Sequence, residues 1–332
     1  MTAATPQFAR RGALDTVVPT VRRNTWTLGL VGFLVFLLAY TKFIQPSYDA
    51  SGLQGLAIGV LPLALAAVAQ AVVVMSGGID LSIGSQMALT SVVCASLMKG
   101  QSGEFGIGVV LLVLAIGLLV GGVNGVVIVF TKVPDIVVTL AMSFVWAGFA
   151  LLVRAAPGGA ASDWLKELVL GSLVTDWLPK SAVVLVVIVA VIWIPISRSM
   201  LGLSIYAIGS NRLAAFRCGV PVGQTKISAY ILTGLFSALA GLSLTASTGI
   251  GTPVPGPYTL MSVAAVVLGG VSLAGGRGGL FGPIVAVVVL QMIRTDMTFL
   301  SIDSNYAYVA QGLILVGVVM VGSFAQMRRS RS

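Results

Sequence analysis

The chain has 332 residues, of which 57% are apolar and only 9% carry a charge, and its mean hydropathy is +1.05. A water-soluble domain of this length could not bury so much apolar surface, so the composition excludes an ordinary soluble protein and indicates an integral membrane protein with lipid as its main solvent. The net charge of +9 resembles that of nucleic-acid-binding proteins, but the basic residues sort by membrane side, so we predict no nucleic-acid partner.

Apolar runs of about 17 to 25 residues recur along the whole chain, which is the length that a helix needs to cross roughly 30 Å of hydrocarbon. We therefore predict an all-α integral membrane protein with about ten transmembrane helices. The predicted spans lie near residues 25–44, 53–75, 82–98, 107–130, 136–154, 181–197, 227–248, 259–271, 280–295 and 306–324. No A-x-A-like cleavage site follows the first run, which is expected to remain as a helix.

The basic residues concentrate on one side of these predicted spans. With the N-terminus inside, 13 of the 19 lysines and arginines fall in inner segments, which is the positive-inside pattern. It predicts an even number of spans with both termini in the cytoplasm. The predicted organisation is a basic N-terminal segment at 1–24, a transmembrane domain at 25–324 and a basic tail at 325–332. The longest inner loop is predicted at 198–226 and the longest outer loop at 155–180.

Several kinds of chemistry have no candidate residues in this sequence. There is no histidine, no cysteine pair at metal-ligand spacing, and no nucleophile with a candidate base, so neither a catalytic site nor a metal site is predicted. There is also no phosphate-binding loop of the G-x-x-x-x-G-K-[ST] type, so any use of ATP must depend on another chain. Ionisable residues are nearly absent from the spans, which argues against proton coupling and leaves sodium coupling open.

One motif occurs twice in the chain. The sequence GGIDLSIG at 77–84 resembles GGVSLAGG at 269–276, with four identical positions at an offset of 192 residues. Each copy follows a span of the same predicted direction, which indicates a parallel internal repeat with glycine-rich helix breaks. The predicted break residues are Gly77, Gly78, Gly269, Gly270, Gly275 and Gly276. Each break is either a tight turn at the inner surface or open backbone that faces a water-filled path.

Asp80 is the only acid in either copy of the motif. It is followed by Leu-Ser-Ile at the start of a span, a pattern that favours an N-cap, in which the carboxylate accepts hydrogen bonds from the first free amides of the helix. The alternative is a contact with a hydroxyl group of a solute or a role in an inner gate.

The inner loop at 198–226 carries four basic residues and no acid. Within it Asn211 is predicted to start a short helix, Leu213 and Phe216 give the helix an apolar side, and Gly219 ends it. A local helix with start and stop signals favours a surface that docks a partner over charge sorting alone. The outer loop at 155–180 contains a second helical pattern, which we expect to lie along the membrane surface or to meet a solute-delivering protein.

Three segments, 75–85, 206–221 and 264–277, together resemble the ribose/xylose/galactose-type ABC permease family, and the resemblance runs from about residue 50 to the end. It implies the membrane-spanning permease subunit of an ATP-driven importer of a sugar or similar polar solute in the bacterial inner membrane. It also implies three partners: a second permease subunit, identical or different; a cytoplasmic ABC ATPase, which holds the ATP and magnesium; and a periplasmic or lipid-anchored solute-binding protein. No cofactor is implied on this chain.

The sequence departs from the family pattern at two positions. The family usually has Glu and Asp just before the Ala-Val-Val-Leu-Gly-Gly run, whereas Thr259 and Met261 stand there in this chain. We expect this departure to bear on the solute and on whether the permease pairs with itself or with a different permease.

Two sets of functional residues are predicted, and both depend on an importer interpretation. The polar side chains proposed for a solute path are Gln70, Ser76, Asp80, Asn124, Thr139, Ser262 and Gln291. The residues proposed to couple the permease to the ATPase are Gly209, Asn211, Arg212, Ala215, Phe216, Arg217, Gly219 and Val220. For each path residue the alternative is a structural hydrogen bond between helices. The alternative class of protein is a stand-alone ion-coupled carrier or channel for a small polar solute.

Overall fold

The computed structural model describes residues 25–101, 103–254 and 256–303, together with isolated positions between 306 and 320. Helices make up most of this part of the chain, and within it no strand occurs apart from isolated bridges. The helices are α1 Thr25–Ile44, α2 Ala50–Met75, α3 Ile83–Met98, α4 Gly103–Thr131, α5 Asp135–Val153, α6 Asp163–Val169, α7 Lys180–Ser197, α8 Met200–Ser210, α9 Arg212–Arg217, α10 Val222–Thr248, α11 Tyr258–Leu268 and α12 Phe281–Phe299. The all-α prediction is confirmed for the described residues.

Seven of these helices, α1, α2, α4, α5, α7, α10 and α12, are long and apolar enough to cross a membrane. Helices α3 and α11 occupy the positions of two predicted spans but have only 16 and 11 residues. At 1.5 Å per residue they are about 24 and 16 Å long, less than the thickness of the hydrocarbon layer. The last predicted span, 306–324, falls mostly outside the described residues, as do the segments 1–24 and 325–332. The count of about ten spans is therefore not confirmed.

Helices α2 and α10 form the centre of the bundle. The residues of α2 from Val60 to Met75 are buried, and α10 packs against α2, α3 and α4. Helices α4 and α10 approach closely through glycines, because a Cβ atom at Gly121 would come within 3.0 Å of the Gly234 Cα atom. By contrast, α4, α5 and α7 leave many large apolar side chains exposed, as a lipid-facing surface does.

The bundle has two ends that differ in their connections. One end, which we call the glycine-turn end, carries two connections. Residues 76–82 form the first glycine turn and residues 269–280 the second. The Gly276 amide of the second turn donates to the carbonyl of Met75, the residue just before the first turn. The opposite end carries the connections before and after α6 and the segment after α10, which meet in the bridge between Gly158 and Gly251. The distribution of arginines predicts that the glycine-turn end is cytoplasmic.

Both glycine turns end their helices with the same backbone geometry. Gly77 has φ +78°, and the amides of Gly77 and Gly78 donate to carbonyls in the last turn of α2 at 2.9 and 3.0 Å. Gly270 has φ +80°, and the amides of Gly270 and Val271 repeat these bonds on α11 at 3.0 and 3.1 Å. This is the Schellman geometry. The two left-handed glycines are thus 270 − 77 = 193 residues apart, whereas the sequence alignment of the repeat gives 192. The difference arises because the left-handed residue is the first glycine of the pair after α2 and the second glycine of the pair after α11.

Candidate functional site: the glycine junction, the α9 surface and a cavity at the opposite end

A buried cluster of polar side chains surrounds the first glycine turn. The Asp80 carboxylate accepts hydrogen bonds from the Ser82 amide (2.8 Å), the Ser82 hydroxyl (2.6 Å) and Gln86 Nε2 (3.2 Å). Asn124 Nδ2 donates to the Ser82 hydroxyl at 2.8 Å, and Trp146 Nε1 donates to Asn124 Oδ1 at 3.1 Å. Burial raises the pKa of Asp80 to about 6, although the hydrogen bonds from Ser82 and Gln86 act in the opposite direction. The cluster ties α3, α4 and α5 to this turn.

Two further predicted path residues belong to the same cluster. The Gln70 amide donates to the Asp80 carbonyl at 2.9 Å and accepts from the Asp80 amide at 3.3 Å. The Thr139 hydroxyl accepts from the Leu81 amide at 3.1 Å. The structure therefore brings together Gln70, Asp80, Asn124 and Thr139, all fully buried, and uses their polar groups to hold the first glycine turn.

The remaining predicted path residues take no part in the hydrogen bonds of this cluster. Ser76 and Ser262 are buried, and each donates to a carbonyl three residues earlier, at 2.7 and 2.8 Å. Gln291 lies on α12 and lines a cavity at the opposite end of the bundle. Of the predicted path residues, Gln291 is thus the one that this cavity includes.

The prediction that Asp80 is the N-cap of α3 is wrong, because the cap position belongs to Ser82, whose side chain makes no capping hydrogen bond. Asp80 lies three residues before α3, where its carboxylate accepts from the Ser82 amide in an Asx turn. The amide of Gly84, in the first turn of α3, instead bonds to the Thr259 Oγ1 atom of α11 at 2.9 Å. The cap of α3 therefore comes from a residue 175 positions away, which sequence reasoning missed. Thr259 thereby links the two copies of the repeat at one of the positions where the resembled family usually has an acid.

A buried ion pair lies beside the first glycine turn. Lys226 Nζ is 2.6 Å from Asp135 Oδ2, and the Tyr230 hydroxyl donates to the same oxygen at 2.8 Å. Gly78 leaves room for the pair, because a Cβ atom there would come 2.9 Å from Lys226 Nζ. The sequence showed Lys226 only as one more inner positive charge, because the partner lies on a helix whose packing the apolar pattern does not specify.

The last turn of α8 is held between the two glycine turns. A Cβ atom at Gly275 would come 2.8 Å from the Gly209 carbonyl oxygen and 2.9 Å from the Gly77 Cα atom, and a Cβ atom at Gly209 would come 2.6 Å from the Gly276 amide nitrogen. We call Gly77, Gly209, Gly275 and Gly276 the glycine junction. Because backbone contacts backbone here, no side chain larger than hydrogen fits without displacing a turn.

The short helix α9 follows the glycine junction directly. The Asn211 Oδ1 atom caps it by accepting from the Ala214 amide at 2.9 Å, and Gly219, with φ +83°, ends it. The Val220 amide donates to the Ala215 carbonyl at 3.0 Å, which completes the stop. The helix that the sequence predicted from Asn211 is present.

Helix α9 presents an apolar and basic surface. Leu213 and Phe216 are 59% and 67% exposed, whereas Ala215 is buried. Together with Arg212 and the start of α10, these two side chains line a surface hollow of about 390 Å³. Arg217 is exposed at the other end of the helix. Exposed large apolar side chains on a polar loop are typical of a docking surface.

Helix α11 has a cavity at each of its ends. At its C-terminal end, a hollow of about 860 Å³ is lined by residues of the second glycine turn together with Trp26 and Tyr206. At its N-terminal end, a cavity of about 330 Å³ lies toward the opposite end of the bundle. The residues that line this second cavity are Gly59, Leu63, Leu244, Thr252, Gly256, Pro257, Tyr258, Met261, Gln291 and Arg294.

The fold and these features define a multi-pass membrane protein with a short exposed helix that follows the junction of two internal turns. Residues 52–319 match the family described as branched-chain amino acid transport system / permease component, and the chain belongs to this family of ABC transporter permeases. The predicted resemblance is confirmed. Its family and its seven apolar helices make it a multi-pass protein of the inner membrane.

Several characterised or named relatives align over nearly the whole chain. The chain is 29% identical over 296 residues to the ribose import permease protein RbsC of Haemophilus influenzae, covering 88% of this chain and 91% of that protein. It is 30% identical over 327 residues to the probable ABC transporter permease protein y4mJ of Sinorhizobium fredii, covering 97% and 96%. It is 29% identical over 329 residues to the autoinducer 2 import system permease protein LsrD of Escherichia coli, covering 93% and 95%. No solved structure matches the chain.

Proposed function

We propose that this chain is the permease subunit of a binding-protein-dependent ABC importer that moves a sugar or sugar-like polar solute across the bacterial inner membrane. ATP hydrolysis takes place on a separate subunit, which binds the ATP and magnesium. The observation that carries the proposal is α9, a capped helix with exposed apolar and basic side chains, on a chain of the permease family. Two of the relatives, a ribose import permease and an autoinducer 2 import permease, support the solute class.

Helix α9 is the docking element in this proposal. Leu213 and Phe216 enter a cleft of the ATPase, where burying their exposed apolar surface stabilises the complex. Arg212 and Arg217 stand at the two ends of the helix and pair with acidic groups that line such a cleft. This geometry requires the glycine-turn end to be cytoplasmic, in agreement with the distribution of arginines.

The glycine junction transmits the movement of α9. Closure of the ATPase dimer pushes α9, and Gly209, three residues before Arg212, lies against both glycine turns. A displacement of α8 is therefore passed to the second glycine turn through Gly275 and Gly276, whose backbones contact Gly209, while buried side-chain hydrogen bonds hold the first glycine turn in place. The permease then acts as a bistable element that switches between outward-facing and inward-facing arrangements.

The other parts of the assembly follow from the same proposal. A second permease subunit, identical or different, packs beside this one, and lipid covers the exposed apolar faces of α4, α5 and α7. A periplasmic or lipid-anchored binding protein delivers the solute to the opposite end of the bundle.

Co-purification with an ABC ATPase of the same organism tests the proposal. We expect a stable complex that, together with a solute-binding protein, drives solute uptake into proteoliposomes only with ATP, whereas the purified permease alone hydrolyses none. Replacing both Arg212 and Arg217 by Glu should detach the ATPase, because like charges then oppose an acidic cleft. A double Ala variant and a reporter fusion control for membrane insertion. Uptake by this chain alone under an ion gradient would instead support an ion-coupled carrier.

A further inference from the structure

We propose that the 330 Å³ cavity at the N-terminal end of α11 is a solute-binding site within this subunit, and that its ligand is a polyhydroxylated molecule of monosaccharide size. The inference deepens the proposed function and rests on it for the biological role of the ligand. The site itself rests on three observations: where the cavity lies, what lines it, and how Gln291 is seated in its wall.

The cavity reaches into the bundle from the opposite end. Gly59 lies nine residues after the start of α2, and Gln291 lies eight residues before the end of α12. At 1.5 Å per residue these positions are about 12 to 14 Å deep along their helices. The cavity volume falls in the range of about 300 to 1,000 Å³ that is usual for small-molecule sites. A solute arriving at this end therefore finds a pocket of suitable size inside the helix bundle.

The lining has an apolar side and a polar side. Leu63, Leu244 and Met261 supply the apolar surface. Thr252 and Gln291 supply hydrogen-bonding groups, and Tyr258 and Arg294, which also interact with other parts of the protein, lie beside them. A sugar ring has the same division, with C–H groups on its faces and hydroxyl groups at its edge. Amide and guanidinium groups donate to hydroxyl oxygens, and the tyrosine ring offers a flat surface to a C–H face.

The charge of the lining separates this ligand class from a cation. None of the described residues that line the cavity is an aspartate or glutamate, and the one ionisable side chain with a permanent charge is Arg294. Metal ions in proteins are held by carboxylate and carbonyl oxygens, and the positive charge of Arg294 disfavours a cation in this cavity. A hydroxyl-rich solute fits without any counter-charge.

Gly59 makes the position of Gln291 possible. A Cβ atom at Gly59 would come 2.7 Å from Gln291 Nε2 and 3.2 Å from its Cδ atom, so the amide lies directly over the glycine. Gly55, one helical turn earlier on α2, has nothing within 4 Å of an added Cβ atom. The two glycines therefore form a matched pair, of which only Gly59 supports the cavity wall.

Cysteine labelling tests ligand binding without the ATPase. In a Cys218→Ser background, Met261→Cys places a thiol in the cavity, and Val174→Cys places one on the exposed connection after α6 as a control. Membrane-impermeant methanethiosulfonate reagent is added to oriented vesicles with millimolar D-ribose, D-xylose, D-galactose or xylitol. We expect at least one of these probes to slow labelling of Met261→Cys several-fold and to leave Val174→Cys unchanged.

The glycine pair then tests the geometry. Gly59→Ala should raise the half-protecting concentration of the effective probe about tenfold, which corresponds to the loss of one to two hydrogen bonds, whereas Gly55→Ala should leave it unchanged. Thermal unfolding in detergent checks both variants, and Gln291→Leu replaces Gly59→Ala if the latter does not fold. Protection by none of the four probes, or an equal effect of the two glycine variants, would overturn the site and identify the cavity as a packing gap. Intact protection in a chain that binds no ATPase would contradict the importer and leave the site standing.

Discussion

The first and second glycine turns end their helices with the same backbone geometry but are held in different ways. The first turn has 7 residues, 76–82, and is enclosed by Asp80, Ser82, Gln86 and their buried partners. The second has 12 residues, 269–280, with Leu273, Ala274, Arg277 and Gly278 exposed. Side-chain hydrogen bonds thus fix the first turn, whereas the backbone contacts of the glycine junction position the second. Under the proposed function, this difference assigns the first turn to the rigid frame of the bundle and the second to the part that moves.

The largest expected effect is at the point that touches both turns. Gly209→Ala puts a Cβ atom 2.6 Å from the Gly276 amide nitrogen, so one of the turns must shift. We expect ATP-driven uptake to fall more than about tenfold, while the ATPase still binds because α9 is unchanged. Uptake and co-purification are measured on the same preparation. Gly148→Ala on α5 is the matched control, since an added Cβ atom there meets nothing within 4 Å. Normal uptake by Gly209→Ala would show that the junction transmits no movement.

The next effect sharpens the assignment of the first turn to the rigid frame. Lys226→Met leaves the Asp135 carboxylate, whose side chain is 19% exposed, without its cation, which should lower the free energy of unfolding by about 2 kcal/mol. Combining it with Asp135→Asn should recover most of that loss, because no buried charge then remains. Chemical denaturation in mixed micelles measures both variants. No recovery in the double variant would mean that Lys226 stabilises the protein by packing alone.

A smaller effect compares the two turns directly. Asp80→Ala removes the acceptor of the Ser82 amide, of the Ser82 hydroxyl and of one N–H group of Gln86, and should lower the free energy of unfolding by about 2 kcal/mol. Leu273, its counterpart at the offset of 193, is 46% exposed, so Leu273→Ala should change the free energy by less than about 0.5 kcal/mol. Equal destabilisation by the two substitutions, measured in one denaturant series, would remove the distinction between the turns.

The smallest effect concerns the link between the repeats. Thr259→Val keeps the shape of the side chain but removes the oxygen that accepts from the Gly84 amide. Loss of a helix cap of this kind should cost about 1 kcal/mol. Thr259→Ser, which keeps the oxygen, should be nearly neutral. A Thr259→Val variant as stable as the parent would show that water replaces the threonine at the start of α3.

The sequence predicted the helices and α9 because their signals are local. Apolar runs specify helices that face lipid or core, and Asn211 and Gly219 bracket α9 with a cap and a left-handed stop. Helices α3 and α11 lie where two spans were predicted, but the count of spans is not confirmed, since an apolar pattern does not record whether a helix crosses the whole layer. The alignment of the two repeat copies by structure also differs by one residue from their alignment by sequence. Sequence comparison matches identical residues, whereas the structures match where the glycines have positive φ.

The sequence identified the polar residues in the spans, but it could not tell those that hold the first glycine turn from the one that lines the cavity. Gln70, Asn124 and Thr139 share with Gln291 only the property of being polar in an apolar run. Three of them surround the first glycine turn and the fourth lines the cavity, a division that depends on helix packing over long sequence separations. The ion pair of Asp135 and Lys226 was missed for the same reason.

Under the proposed function, the 11 residues of α11 separate the two hollows through which a polar solute enters and leaves the bundle. Hollows of about 330 and 860 Å³ adjoin its two ends. The distance between them is about 16 Å, roughly half of a 30 Å hydrocarbon layer. The narrowest part of the proposed solute path is therefore a single short helix. A sideways shift of α11 by a few ångströms would then connect the two hollows without any large rotation of the bundle.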